Sequence, residues 1–268
     1  MPKIIFTKMH GCGNDFVIID NRTQNISLND KQIKHIADRN FGVGCDQLII
    51  IDKSNNADCF IRIYNQDGTE SASCGNATRC VGLIMMQENN VAKILIETID
   101  RTLEVNKLND EINVNMGKAS FNWQDIALSH FLDTTNLPIE IGPLKNPLAV
   151  SMGNPHMVFF VDDINMELAK FGSSLENHPF FLNKANVNIA QIITPNHIKL
   201  RVWERGAGET LACGSGACAT FAAAYKRGLV GDKASVSLPG GKLTIKLKDD
   251  DIYMAGPVAV SFNGTIDL

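Results

Sequence analysis

Ile61-Arg62-Ile63-Tyr64-Asn65, running on to Gly68-Thr69-Glu70-Ser71-Ala72-Ser73-Cys74-Gly75-Asn76-Ala77, returns as Leu200-Arg201-Val202-Trp203-Glu204 and Ala207-Gly208-Glu209-Thr210-Leu211-Ala212-Cys213-Gly214-Ser215-Gly216. Cys74 and Cys213 stand 139 residues apart (213 − 74), about half of the 268-residue chain, and at that offset the apolar, Arg, Glu, Cys and Gly positions superimpose. Two further segments keep the spacing. Gly13-Asn14-Asp15-Phe16-Val17-Ile18 falls on Gly153-Asn154-Pro155-His156-Met157-Val158 at 140, and Gln47-Leu48-Ile49-Ile50 on Asn186-Val187-Asn188-Ile189 at 139. Three matches in order imply a duplicated unit. Halves related in this way are expected to pack about a pseudo-twofold axis, with the functional site between them.

A chain of this length with 44% hydrophobic residues can bury a full core, as one large or two medium domains, and the repeat favours two. A net charge of −4 without a run of Lys or Arg leaves no footprint for nucleic acid, so a small-molecule partner is expected. Ile4-Ile5-Phe6 is too short for a signal-peptide core, and no stretch approaches the ~18 apolar residues of a membrane span, which points to a cytoplasmic protein without membrane contact. The seven cysteines, an odd number, read in a reducing compartment as buried or catalytic thiols rather than disulfides. No C-x-x-C pair is present, and the spacings of Cys74 to Cys80 and Cys213 to Cys218 do not suit a zinc knuckle, so no metal is expected.

Periodicity sets out one plan twice. In the first half, strands are expected over residues 3–8, 16–20, 48–52, 59–65, 93–98, 102–107 and 111–116. A helix is expected over 28–40 with Ser27 as its cap, and a buried one from Cys74 to about residue 88. The second half repeats strands at 148–152, 156–162, 187–193 and 198–204, a helix near 166–175, a buried helix over 214–227, and hairpin-like strands over 234–266. Pro138, Pro143 and Pro147, in a stretch without clear period, mark 117–147 as a linker region. The expected halves are therefore 1–117, carrying Cys74, and 118–255, carrying Cys213, with 256–268 a terminal strand packing back on the first half.

Each Cys-Gly pair sits where strand and turn give way to an apolar helix, so each thiol should stand at a helix N-terminus. There, unpaired N–H groups and the dipole favour negative charge and lower a thiol's pKa. Core cysteines, the reading kept for Cys59, Cys80 and Cys218, would not need a Gly beside each. Two such thiols suit removal of a carbon-bound proton on one face and its return on the other, while N–H groups hold the enolate-like carboxylate that develops between. That is racemisation or epimerisation without a cofactor. Arg205 offers a planar fork for a carboxylate, and Asn14, Gln47, Asn65, Asn76, Asn154 and Asn186 both donate and accept, which suits an ammonium and a carboxylate together. A non-catalytic ligand-binding protein with structural cysteines is the alternative from another class. A dinucleotide enzyme is weaker, because Gly206-Ala207-Gly208-Glu209-Thr210-Leu211 lacks the third Gly of G-x-G-x-x-G.

Six spaced motifs, Gly11-Cys12-Gly13-Asn14-Asp15-Phe16, Gly44-Cys45-Asp46-Gln47, Tyr64-Asn65 with Asp67-Gly68-Thr69-Glu70, Cys74-Gly75-Asn76, Gly153-Asn154-Pro155-His156, and Glu204-Arg205-Gly206-Ala207-Gly208-Glu209-Thr210 through Cys213-Gly214-Ser215-Gly216-Ala217-Cys218, together resemble the diaminopimelate epimerase family. The resemblance implies an α/β fold of two pseudo-symmetric halves, each a mostly antiparallel β layer wrapped around a central helix. It implies conversion of LL-2,6-diaminopimelate to the meso form in lysine and peptidoglycan precursor synthesis, without pyridoxal phosphate or another cofactor, by a homodimer. By motif, it makes Cys74 and Cys213 the acid/base pair and sets Gly75, Asn76, Gly214 and Ser215 around the reacting carboxylate. It places Asn14, Gln47, Asn65, Asn154, Asn186, Glu204 and Arg205 on the rest of the substrate, with His156 and Glu204 tuning thiol pKa. A racemase or isomerase of the same fold acting on another amino acid is the alternative; Arg205 with Asn65, Asn154 and Asn186 argues for a second amino-acid head group and hence for diaminopimelate. Ala77 stands where Gly is common, and Cys12 and Asp15 carry no assigned role.

Overall fold

The computed structural model describes residues 3–268; Met1 and Pro2, where the first expected half begins, lie outside the described residues. The chain divides into two compact units, Met1–Asn115 with Gly256–Leu268, and Met116–Ala255.

The first unit runs β1 (Lys3–Gly11), β2 (Asn14–Asp20), α1 (Asn21–Gln24), α2 (Asp30–Ala37), β3 (Gln47–Asp52), β4 (Cys59–Asn65), β5 (Glu70–Ser71), α3 (Gly75–Asn89), β6 (Lys93–Glu97), β7 (Thr102–Leu108) and β8 (Glu111–Asn115). The β1–β2 hairpin closes through Cys12 and Gly13, with φ of 55° and 83°, between the paired Gly11 and Asn14. Two consecutive positive φ values give the tight turn whose twist matches its strands, and a Gly in the second place removes half the strain. β2 pairs parallel with β3 from Phe16 and Gln47, β3 antiparallel with β4, and β4 parallel with β6, which leads the β6-β7-β8 meander. α3 packs against β1, β2, β6, β7 and β8. It is buried from Gly75 to Gly82, and a Cβ on Gly82 would lie 2.6 Å from Val105 Cγ1, so this helix sits at glycine distance from β7.

The second unit runs β9 (Glu140–Ile141), β10 (Leu144–Lys145), β11 (Leu148–Ser151), β12 (Pro155–Phe160), α4 (Ala169–Glu176), β13 (Asn186–Thr194), β14 (His197–Glu204), β15 (Gly208–Thr210), α5 (Gly214–Lys226), β16 (Lys233–Leu238), β17 (Gly241–Lys248) and β18 (Asp251–Gly256). Its pairings repeat those of the first: β11 with β12 antiparallel, β12 with β13 parallel from His156 and Asn186, β13 with β14 antiparallel, β14 with β16 parallel, then the β16-β17-β18 meander. α5 packs against β11 to β14, β16 and β17. Each unit is thus a mostly antiparallel layer around one buried helix. The last strand, β19 (Ala259–Asp267), pairs antiparallel with β1.

Two expectations are corrected. The cap of α2 is Asn29 rather than Ser27: its side chain accepts from Gln32 N–H at 3.1 Å while the Gln32 side chain accepts from Asn29 N–H at 3.1 Å. This reciprocal box satisfies two donors that Ser27 could not reach, and the helix begins at Asp30. Residues 117–147 are not a linker. Ile126, Leu128, Leu137, Ile139 and Leu144 join the buried cluster of the second unit with Phe159, Leu168 and Leu175, and β9 and β10 form a small hairpin within it. Pro143 and Pro147 separate the short strands here, while Ile139 and Leu144 stay buried.

α4 meets β14 through a missing side chain. A Cβ on Gly172 would lie 2.3 Å from Trp203 Cδ2, closer than any ring can tolerate. Alanine gains about 1 kcal/mol over glycine in an open helix, but overpacking of a fixed ring costs about 1–3 kcal/mol, so the clash wins. Gly172→Ala is expected to lower unfolding free energy in urea, followed by Trp fluorescence; an increase in stability would show that the ring moves aside freely.

Candidate active site

The expected site residues of the first unit fall into two joined groups. Cys74 is the N-cap residue of α3, in extended backbone with φ −151°, and its Sγ lies 3.9 Å from Asn14 Oδ1. Asn76 Nδ2 donates to the same Asn14 oxygen at 3.2 Å, and Asn14 Nδ2 donates to Asp46 Oδ2 at 2.9 Å. Gln47 and Asn65 face each other across β3 and β4, with Gln47 Nε2 donating to Asn65 Oδ1 at 3.0 Å. The β1–β2 turn delivers Asn14, and the start of α3 delivers Cys74, Gly75 and Asn76.

Behind these side chains stand groups that sequence reasoning did not assign. Arg39 Nη2 donates to Asp15 Oδ1 and to Asp46 Oδ1, each at 2.7 Å, and Lys8 is ion-paired with Asp15. Burial alone would raise the Asp15 carboxyl, but Arg39 and Lys8 hold it down at about 2, so it is ionised at any physiological pH. This gives Asp15 its place: it locks the strand ends that carry Asn14 and Gln47. Arg79, fully buried one turn into α3, donates from Nη2 to Asn76 Oδ1 at 3.0 Å, and its Nε and Nη1 have no hydrogen-bond partner among the described residues. A Cβ on Gly11 would lie 2.8 Å from Arg79 Nη2, which explains the glycine that opens the first motif.

In the second unit, Cys213 is the N-cap residue of α5; its Sγ accepts from Gly216 N–H at 3.4 Å and lies 3.6 Å from Ser215 Oγ. Ser215 Oγ accepts from Asn154 Nδ2 at 3.2 Å and lies 3.1 Å from His156 Nε2, which is also 3.0 Å from Asn154 Oδ1. Asn154, His156, Ser215 and Cys213 therefore form one chain. Asn186 is engaged at both ends of its amide, donating to Pro155 O at 3.1 Å and accepting from Arg205 N–H at 2.9 Å, so it holds the backbone that carries Arg205. Arg205 itself is exposed and donates to Asn183 O at 2.8 Å, while Glu204 accepts from Thr210 Oγ1 at 2.5 Å. Glu176, buried beneath this loop and absent from the sequence reading, accepts from Trp203 Nε1 at 2.9 Å and from Gly206 N–H at 3.1 Å.

Electrostatics separate these groups. Burial raises the Cys213 thiol well above its ordinary value, and the Glu204 carboxylate raises it further, against smaller lowering effects of Ser215 and the Gly216 N–H. The dipole argument made from sequence is outweighed here by desolvation and a like charge, and Cys213 rests as a thiol. Burial pushes His156 down to about 3, with a further push from Arg205, so its ring is neutral. Cys59 and Cys80, each pushed up by burial to about 12, are protonated core thiols. Among the described residues no three His, Cys, Asp or Glu side chains are grouped to hold a metal ion.

A sequence profile of the diaminopimelate epimerase family matches residues 6–122 and 148–261. The diaminopimelate epimerase of Acidiphilium cryptum (strain JF-5) is 46% identical over 265 residues, covering 98% of this chain and 96% of that one. That of Wolbachia sp. subsp. Drosophila simulans (strain wRi) is 49% identical over 257 residues, covering 94% and 96%. Among solved structures, a Bacillus anthracis phenazine biosynthesis protein of the PhzF family is similar with a TM-score of 0.72 over 100% of both chains at 18% identity. A hydroxyproline epimerase from Agrobacterium vitis is similar with a TM-score of 0.70, covering 98% of this chain and 92% of that one, at 11% identity. These two share the fold.

Since Glu204 raises the Cys213 thiol, removing its charge lets the thiolate form at lower pH. In Glu204→Gln, the pH profile for alkylation of Cys213, read by mass spectrometry of the labelled peptide, is expected to move to lower pH than in the unaltered chain. An unmoved profile would remove Glu204 from the control of that thiol.

Proposed function

Because the chain belongs to the diaminopimelate epimerase family, we propose that it interconverts LL- and meso-2,6-diaminopimelate by moving one proton at one α-carbon, with Cys74 and Cys213 as the acid/base pair. The observation that carries this reading is the repeated placement of a thiol at the N-cap of a buried helix, Cys74 on α3 and Cys213 on α5.

In one half of the reaction a thiolate takes the α-proton and the electron pair of the broken C–H bond spreads into the adjoining carboxylate. In the other, a thiol returns a proton to the opposite face. No electrons are gained or lost overall, and the two sulfurs end with their protonation exchanged, set for the reverse direction. The negative charge developing on the carboxylate suits the N–H groups at the starts of α3 and α5, from Gly75, Asn76, Gly214 and Ser215, because unpaired N–H donors and the helix dipole act together there. Two thiols close to one carbon would not both ionise, since the second charge is opposed by the first. Burial and Glu204 keep the resting proton on Cys213.

Asn14, Gln47, Asn65, Asn154, Asn186, Glu204 and Arg205 serve the remaining ammonium and carboxylate groups, and neutral His156 acts through Ser215 on Cys213. We take residues 1–117 with 256–268, and 118–255, as the functional halves. No described helix is long and apolar enough to cross a membrane; we take the protein to work in the cytoplasm as a homodimer, and sedimentation at the mass of a single chain would overturn the second point.

Replacing Cys74 or Cys213 singly with Ala is expected to reduce epimerisation by about 100-fold or more, the usual contribution of a placed acid or base. The unaltered enzyme should wash solvent deuterium into the α-position while it inverts the centre, without added cofactor. A variant epimerising at the original rate would remove that thiol from the reaction. In the same assay lysine, which lacks the second carboxylate, should not turn over, because it leaves Arg205 and the amides assigned to the distal head group without the carboxylate they would bind; comparable turnover would overturn the assignment of the distal site.

A further inference from the structure

We propose that Asn188 is a positioning residue that fixes His156 in its Nε2–H tautomer and thereby turns the Ser215 hydroxyl hydrogen toward Cys213. The inference rests on the reading of Cys213 as an acid/base group.

Asn188 lies on β13, fully buried, two residues beyond Asn186. Its Nδ2 is 3.1 Å from His156 Nδ1. An amide nitrogen only donates, so Nδ1 must accept, and a neutral ring then carries its single hydrogen on Nε2. The other side of the ring agrees. Asn154 Oδ1, an acceptor only, stands 3.0 Å from Nε2. The opposite tautomer would set N–H against NH2 on one side and lone pair against carbonyl oxygen on the other, both in a buried site.

The consequence passes to the sulfur. The one Nε2 hydrogen is shared between Asn154 Oδ1 and Ser215 Oγ at 3.0 and 3.1 Å, and Asn154 Nδ2 donates to Ser215 Oγ at 3.2 Å, so both neighbours on that side of the hydroxyl are donors and its own hydrogen is left for Cys213 Sγ at 3.6 Å. With the Gly216 N–H at 3.4 Å, two donors then converge on Sγ and favour the thiolate left once the proton has been delivered. The reversed chain would draw the Ser215 hydrogen to His156 and offer Cys213 an acceptor instead.

Asn188 also carries a penalty that a packing residue would avoid. Its Oδ1 is buried without a hydrogen-bond partner among the described residues, and lies 3.1 Å from where a Cβ on Gly216 would stand. Leucine has similar bulk and would bury no unmet polar atom there, so the amide is retained for what its other end does. The surroundings of His156 are otherwise few. β11 brings Val150 in register, β13 brings Asn186 and Asn188, α5 brings Ser215 with the titratable Cys213 behind it, and the charge felt at the ring is that of Arg205.

The test is nitrogen NMR of the full chain labelled with 15N-histidine, with kcat and KM for diaminopimelate measured across pH on the same samples. The unaltered protein is expected to show His156 neutral and protonated on Nε2; protonation on Nδ1 overturns the proposal outright. In Asn188→Asp, whose carboxylate only accepts, the hydrogen should appear on Nδ1 or on both nitrogens. Then kcat should fall about tenfold or more, as when the partner orienting a functional histidine is lost, with KM little changed and the acid limb of the profile moved up. Asn188→Leu, which removes the donor without adding charge, should give mixed tautomers and a slower enzyme, and serves if the Asp variant does not fold. A Leu variant that keeps Nε2–H and full kcat overturns the proposal. The spectra need no substrate, so their outcome stands apart from that of the epimerase assay.

Discussion

A helix that starts inside a protein leaves its first N–H groups away from water and without partners in their own helix, and both α3 and α5 start inside. Much of the architecture answers that constraint. Strands lie on several sides of each helix, which keeps solvent from its body, and small residues let the backbone approach the sheets: Gly82 against Val105 in one unit, and Gly216 against Val202 and Asn188 in the other. What remains at the helix starts is a set of directed donors with a sulfur beside them. Such a place favours negative charge, and amides, a hydroxyl and an imidazole gather there.

The duplicated frame carries two different environments. Around Cys74 the neighbours are amides backed by a buried guanidinium, that of Arg79. Around Cys213 they are a hydroxyl, a neutral imidazole and the Glu204 carboxylate. The Glu204 carboxylate beside Cys213 opposes ionisation of that thiol, whereas the Cys74 sulfur lies beside the Asn14 amide. Asn76 and Ser215 occupy matching positions in the repeat, and the exchange of an amide for a hydroxyl is where the two environments part.

The repeat was readable because the pattern and the pairing share one offset: Phe16 pairs with Gln47 as His156 pairs with Asn186, at the start of each parallel strand pair. Helix starts at Cys74 and Cys213 were readable for a local reason, a Cys-Gly pair ahead of an apolar run. What escaped depends on contacts distant in sequence. Glu176 reads as one more charged helix residue until Trp203 and Gly206 close over it, and Asn188 reads as part of a strand until His156 meets it from the neighbouring one. The direction of the Cys213 shift escaped in the same way. A dipole argument uses only the helix, whereas burial and Glu204 come from the rest of the fold.

Glu176 shows how far the core reaches into the site. Its burial alone would push the carboxyl up, yet Trp203, the Gly206 N–H and Lys184 hold it below the ordinary range, so it stays charged where an unpaired charge would be costly. One oxygen takes the indole N–H and the other the backbone of the loop that follows Glu204 and Arg205. The indole is pinned against Gly172 on α4, so the same ring that packs the hydrophobic layer also aims a hydrogen bond at this carboxylate. Asn186 holds the loop from the other side through the Arg205 N–H. The stretch that presents Glu204 and Arg205 is therefore held by two side chains, Asn186 and Glu176, whose places are set by core packing.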